Sequence, residues 1–430
     1  MVFPRNTVCL SRRAFAALFL GAAFLWPLTL NAQRYQVLHS FGAPGDGSVP
    51  AGPLAAGPNG SIYGTTGGGG SGQCSDYGCG TVFELNSGSG EWQETIVYNF
   101  AEIDGSPWGS LVSDMAGNLY GTTLGPVANS GVYELSPASG GWSYAVVYDQ
   151  GAGPGVAIDS AGDLYGSIGP GADNFYGAIG ALTPNNSGWS YTDLATLNPT
   201  VGYDPPAPPI PDGRGGLLGI TEDGGIVQPA CWIYSGCGVI FVMTPESNGT
   251  WGYKILHEFA SFPEDGQSPS GGLVRGRPDT FYGLTDLGGP NNTGTVFEMS
   301  IASDGRPKLT LLYDFPDCSV GCYPDGTMAI DRAGNLYGVA GGGIADCGHT
   351  CGVIFRLAPQ ADGNWEYSVV HKFTGTDGAF PWGVILDNHG NLFGITEDGG
   401  TYNAGVAFEI SPGVYPVPTS PDAAAGEDED

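Results

Sequence analysis

Two tryptophans and one aspartate occupy the variable slot of a motif whose other residues recur along the chain. The copies read Asp46-Gly47-Ser48-Val49-Pro50-Ala51-Gly52, Asp104-Gly105-Ser106-Pro107-Trp108-Gly109, Asp265-Gly266-Gln267-Ser268-Pro269-Ser270-Gly271 and Asp377-Gly378-Ala379-Phe380-Pro381-Trp382-Gly383. A shorter copy is Pro324-Asp325-Gly326. Asp-Gly suits a turn, and Pro-x-Gly suits the entry to a strand. The slot x holds Ala51, Trp108, Ser270, Asp325 and Trp382. Indole faces stack on sugars or cations, and a carboxylate adds hydrogen bonds or charge. Trp108, Trp382 and Asp325 are therefore the candidate ligand-binding residues, at the mouth of a central channel. Packing of each indole against a neighbouring repeat is the competing reading.

Eight cysteines fall into close pairs: Cys74 with Cys79, Cys231 with Cys237, Cys318 with Cys322, and Cys347 with Cys351. Even number and proximity read as disulfides in an oxidising compartment. Cys318, Cys322, Cys347 and Cys351, with His349 inside the last pair, also carry the donor types for zinc, and partner exchange among these four stays open. His39, His257 and His371 suggest a metal set until they are aligned. They share a repeat position with Tyr98, Tyr148 and Tyr313, which marks them as packing residues. Trp92, Trp142, Trp189, Trp251 and Trp365 each lie six residues before that position and read the same way.

Asp114, Asp159, Asp212, Asp331 and Asp387 sit in hairpin turns, where a carboxylate accepts from the turn backbone. A calcium loop needs acidic residues at alternate positions ahead of a Glu, and no such run occurs. No metal site and no cofactor is expected, with calcium and zinc as the alternatives. Catalytic residues are not identifiable: a glycoside hydrolase needs two opposed carboxylates, and no feature selects a pair. Nucleophile elbows, His-Glu-x-x-His helices and phosphate loops are missing from the sequence.

These residues need a scaffold, and self-similarity supplies one. An aromatic or Leu followed by Gly recurs at Tyr63-Gly64, Tyr120-Gly121, Tyr165-Gly166, Leu218-Gly219, Tyr282-Gly283, Tyr337-Gly338 and Phe393-Gly394. Around each mark the sequence reads as four short strands, and a period of this size belongs to propeller blades. The expected fold is all-β: a seven-bladed β-propeller of four-stranded antiparallel blades over residues 33–411. Residues 37–41 read as a fourth strand without its three predecessors, while the last copy lacks a fourth. The N-terminal strand is thus expected to complete the last blade and leave no open edge. Blade four is degenerate, because Pro205, Pro206, Pro208, Pro209 and Pro211 crowd its innermost strand. All eight paired cysteines fall on loops of one expected face, opposite the repetitive hairpin turns.

The Leu-Tyr-Gly-Thr-Thr and Gly-Thr-Val-Phe-Glu-Leu elements resemble the Gloeo/Verruco tandem repeat of exported bacterial proteins, often described as "choice-of-anchor". The resemblance covers nearly the whole chain after its first residues. It implies export and a repeat-built ring, and it brings no catalytic residues.

Composition agrees with many strands and turns. Of 430 residues 75 are Gly and 33 Pro, with 11% aromatic and only 13% charged, which excludes a helical bundle and a disordered chain. Acidic residues number 43 against 13 basic, and no Lys or Arg lies between Arg34 and Arg214. Such a surface repels phosphate backbones, so no nucleic-acid partner is expected.

Arg5, Arg12 and Arg13 precede an apolar run at 14–30, which reads as a signal peptide over 1–32 with cleavage after Ala32. Ser11-Arg12-Arg13-Ala14-Phe15 leaves twin-arginine export open beside the general route. No second apolar span follows, and Cys9 precedes the run, on the wrong side for lipidation. Residues 412–430 read as an acidic, solvated tail. The expected product is a secreted or periplasmic bacterial monomer. Its expected function is non-catalytic binding of a glycan or another cell-surface polymer. A propeller glycoside hydrolase or polysaccharide lyase using carboxylates at the channel mouth is the alternative.

Overall fold

Units two to six each build four short antiparallel strands, unit one splits its innermost strand in two, unit seven contributes three, and no α-helix occurs among the described residues. The computed structural model describes residues 33–411 except 58–59, 73, 75–77, 89, 91, 126–129, 170–175, 226–230, 232–235, 261–264 and 342–350. The expected signal at 1–32 with Cys9, the tail at 412–430, and Cys347 and His349 lie outside the described residues.

The sixth unit is typical: Cys322–Ile330, Leu336–Gly341, Val353–Pro359 and Trp365–Lys372 pair in sequence order. Its hairpin turn is held by Asp331, whose carboxylate accepts from the N–H groups of Ala333 and Asn335 at 2.9 Å each. Asp114, Asp159, Asp212 and Asp387 do the same in their own units. Residues 47–99, 106–148, 152–196, 210–258 and 266–314 form the first five units, each a separate sheet. Units six and seven are joined into one eight-stranded sheet by a single parallel pair, Thr327 with Gly383. In unit four the innermost strand shrinks to Ile210–Pro211, as expected where prolines lack donors.

Arg34–Ser40 pairs antiparallel with Val406–Ser411, so the seventh unit takes its fourth strand from the start of the described chain. Hydrophobic clusters fill the space between consecutive units. Tyr282, Leu284 and Val296 of unit five meet Leu336, Phe355 and Leu357 of unit six. Phe393, Ile395 and Ala407 of unit seven meet Leu54, Ile62 and Phe83 of unit one. The strand-opening tryptophans lie in these seams, each against the aromatic mark of the preceding unit: Trp142 on Tyr63, Trp189 on Tyr120, Trp251 on Tyr165, Trp365 on Tyr282 and Trp92 on Phe393. The glycine of the mark leaves room for a third-strand aromatic in every unit but the third, where Gly166 faces Gly180 instead. A Cβ on Gly283 would stand 2.3 Å from the ring of Phe297.

Two backbone irregularities repeat. The fourth strand carries a bulge in all seven units, for example between Val82 and Phe83 opposite Tyr98 and Ile96. Such a bulge re-aims the residue beside it, here the His or Tyr position. The residue before the motif proline is left-handed at Val49, Asp204, Ser268, Tyr323 and Phe380, with φ between 52° and 56°. That conformation turns its N–H toward the preceding unit, as in Tyr323 to the Thr293 carbonyl at 2.9 Å and Val49 to the Ala404 carbonyl at 3.0 Å.

Candidate functional site

The motif proline sends each innermost strand inward, and the residue after it faces a shared space. Residues from the innermost strands of all seven units line one cavity of about 1110 Å³. Trp108, Asp325 and Trp382 all line it, so the three residues singled out in the sequence are brought together. The two indoles meet edge to face, with ring centroids 5.9 Å apart and planes at 86°. Ala51 stands between them in the motif order and also lines the cavity.

The two tryptophans differ in their other neighbours. Trp382 also packs against the cluster that holds Leu54 and Phe393, and its buried indole N–H has no acceptor. Trp108 belongs to no such cluster and is half-buried at the cavity wall. Ser270 instead binds across a seam, its hydroxyl donating to the Pro324 carbonyl at 2.7 Å. The close approach of the inner strands is closest at Gly326, where a Cβ would lie 1.9 Å from the Trp382 carbonyl oxygen.

The same wall carries four acids. Asp204, Glu222, Asp286 and Asp325 all line the cavity, and among the described residues no Lys, Arg or His does. Burial pushes Glu222 up to about 7, with the charges of Asp204, Asp223, Asp325 and Asp286 adding to it. Burial and then the charge of Asp325 raise Asp286 to about 6. Asp325 is raised by burial, against the pull of N–H groups from Gly326 and Gly271 on its carboxylate. Burial also raises Asp204. Poor solvation and the neighbouring negative charges thus let Glu222 keep its proton up to near neutral pH.

Only Asp325 of this group is legible in the motif slot. Asp204 sits in an unrecognised fourth copy, Gly202-Tyr203-Asp204-Pro205-Pro206-Ala207, in which Ala207 replaces the closing Gly. A second signal lies three residues past the glycine of the aromatic mark. Gly67, Leu124, Gly169 and Gly341 stand there in four units, whereas Glu222, Asp286 and Glu397 stand in the other three. Glu222 and Asp286 reach the cavity wall; Glu397 is not among its lining residues.

The aligned histidines prove to have fixed partners in the Asp-Gly turns. His39, His257 and His371 bind Asp46, Asp265 and Asp377 at 2.9, 2.7 and 3.1 Å, and Tyr98 donates to Asp104 at 3.2 Å. Burial raises Asp377, but hydrogen bonds from His371 and Thr374 outweigh it and hold the carboxyl at about 2. Disulfides join Cys74 to Cys79, Cys231 to Cys237 and Cys318 to Cys322. Cys351 is also disulfide-bonded, which leaves no free thiolate for zinc there among the described residues. No helix among the described residues is long and apolar enough to cross a membrane.

Residues 231–424 match the Gloeobacter/Verrucomicrobia repeat family. No curated protein matches. Among solved structures, the chain is similar to a fungal alcohol oxidase of the AA5 family in complex with copper. That pair shows 12% identity and a TM-score of 0.57, over 89% of this chain and 77% of the other. It is also similar to a hypothetical selenium-binding protein from Sulfolobus tokodaii, at 11% identity and a TM-score of 0.49, over 78% and 84% of the two chains. A soluble aldose sugar dehydrogenase from Escherichia coli matches at 11% identity and a TM-score of 0.43, over 89% and 100%. Identities this low speak to the fold alone.

Proposed function

We propose that this Gloeobacter/Verrucomicrobia repeat protein is an exported, seven-bladed β-propeller that binds a glycan or another hydroxyl-rich cell-surface polymer at its channel mouth. In this reading each four-stranded unit is a blade, and Arg34–Ser40 closes the ring. Support comes from the pairing of that strand with Val406–Ser411 and from the cluster shared by units seven and one. The likeness to the alcohol oxidase supports the same architecture. Disulfides favour an oxidising compartment, secreted or periplasmic, in keeping with the export signal read at 1–32.

One observation carries the binding role: an indole pair and four carboxyl groups line one cavity whose wall draws on all seven units. An indole face covers the apolar face of a sugar ring. Carboxyl groups near their midpoint serve hydroxyls in both directions, accepting when ionised and donating when protonated. A phosphate polymer finds no Lys or Arg in the lining, which disfavours nucleic acid. Among the described residues the lining offers neither imidazole nor thiolate, a donor set poorly suited to copper.

A second reading rests on Glu222. A carboxyl raised to about 7 beside one at about 6 is the electrostatic arrangement a glycoside hydrolase uses for its acid and its base. A glycan array probed with the purified mature protein, followed by mass spectrometry of any retained glycan, separates the two. Retention without cleavage supports binding, cleavage supports the hydrolase, and an array without signal contradicts both.

A further inference from the structure

Seven equivalent seams run down the outside of the molecule, and one of them breaks the pattern. In four seams an aromatic two residues past the strand-opening Trp position packs on the His or Tyr of the preceding unit. Tyr144 stacks on Tyr98 at 4.8 Å, Tyr191 on Tyr148 at 5.0 Å, Tyr367 on Tyr313 at 4.3 Å and Tyr35 on His371 at 3.9 Å. Tyr253 and Leu309 fill the slot in units four and five. In unit one the slot holds Glu94, a charged residue where every other copy is apolar or aromatic.

Glu94 faces His39 and Asp46. One potential ligand atom from each of the three lies within 4.8 Å of the others. The Nε2 atom of His39 is 2.9 Å from Oδ2 of Asp46, whose side chain is only 8% exposed. Oε1 of Glu94 is buried and has no hydrogen-bond partner. A buried carboxylate oxygen without a donor is costly, and two carboxylates are held here against a single imidazole. Among the described residues no other His–Asp pair belongs to such a three-residue group; beside His371 and Asp377 the slot holds Tyr35, which stacks on the imidazole.

We propose that His39, Asp46 and Glu94 form a binding site for a divalent transition-metal cation, zinc foremost, at the seam between Arg34–Ser40 and Gln93–Asn99. One imidazole and two carboxylates suit zinc, with water completing the shell, whereas calcium and magnesium favour oxygen donors throughout. Zinc ligands sit about 2.0–2.2 Å from the ion, so a small rotation of Glu94 draws its oxygen inward. The bound ion would tie the N-terminal strand of unit seven to the outer strand of unit one. This site is separate from the cavity and does not depend on the ligand proposed there.

The test is calorimetric titration of chelator-treated protein with zinc chloride, and with calcium chloride in parallel. It uses the wild type, Glu94→Gln and Glu94→Tyr, the last restoring the aromatic of the other seams. The expected result is one zinc per wild-type chain and at least tenfold weaker binding in both variants. Zinc should raise the melting temperature of the wild type alone. Wild-type protein that takes up no zinc, prefers calcium, or loses nothing on Glu94→Gln overturns the proposal. Melting of the metal-free variants near the wild-type temperature excludes misfolding as the cause.

Discussion

Glu222 is the residue whose environment departs furthest from water among the cavity acids with a resolved midpoint. Its midpoint near 7, against an ordinary carboxyl near 4, means the folded chain holds a proton that the unfolded chain releases across that window. Stability therefore falls as pH rises from about 4 to about 7, and Asp286 adds in the same sense. Asp377 works oppositely, but its contribution is complete above the ordinary carboxyl range and is lost only in stronger acid. The wild type should accordingly melt higher at pH 5 than at pH 8. General charge repulsion in a chain of net charge −30 acts in that direction too, so the informative quantity is a difference between proteins. Glu222→Gln should shrink the gap between the two melting temperatures, chiefly by stabilising the protein at pH 8. An unchanged gap would mean that Glu222 is solvated. The sequence made Trp108, Trp382 and Asp325 legible because they vary on a constant frame. It hid Asp204 because Ala207 replaces the glycine that defines the motif, and it hid Glu222 and Asp286 because their slot is glycine in three of the other units.

At the scale of elements, strands and turns were readable because each has a chemical cause visible in the sequence. The Asp of five hairpin turns accepts backbone N–H groups, and the glycine of six of the marks yields to a third-strand ring. The recurrent bulge was not readable, since the extra residue is an ordinary Val or Leu such as Val97 or Leu312. Nor were the left-handed residues before proline, because Val49 and Phe380 are types that normally avoid that conformation. Tertiary hydrogen bonds to the neighbouring unit hold them there. Glycines give a sharp test of this packing. Gly326 and Gly305 have nearly the same backbone, with φ of 77° and 79°, but a Cβ meets the Trp382 carbonyl at the first and nothing within 4 Å at the second. Gly305→Ala should cost about 1 kcal/mol, from the backbone alone. Gly326→Ala should cost about 3 kcal/mol or more, because inner strands must separate. Equal losses in denaturant melts would show that the inner strands are not in close contact.

For the whole molecule, the repeat count and the strand missing at one end of the pattern were enough to anticipate the pairing of the first described strand with the last. What repeats could not convey is that one eight-stranded sheet spans units six and seven, since a single backbone pair makes that link. The proposed ring closure predicts a covalent consequence. Arg34 and Ser411 are register partners, so Arg34→Cys with Ser411→Cys should cross-link within one chain. Peptide mapping under non-reducing conditions should find that bond beside the native disulfides. Cross-links between chains would point instead to strand exchange between molecules, and no cross-link to an open ring. Closure matters for function because the cavity takes its wall from all seven units.

Recognition at that cavity is tested most directly by a glycan array run with wild type and Trp108→Ala side by side. Trp108 is the better probe, since Trp382 also packs in a seam and its loss would cost stability as well. The account predicts that glycans retained by the wild type lose at least tenfold in affinity on Trp108→Ala, while the melting temperature stays within a few degrees. Equal retention by both proteins, or a wild type that retains no glycan, would contradict it.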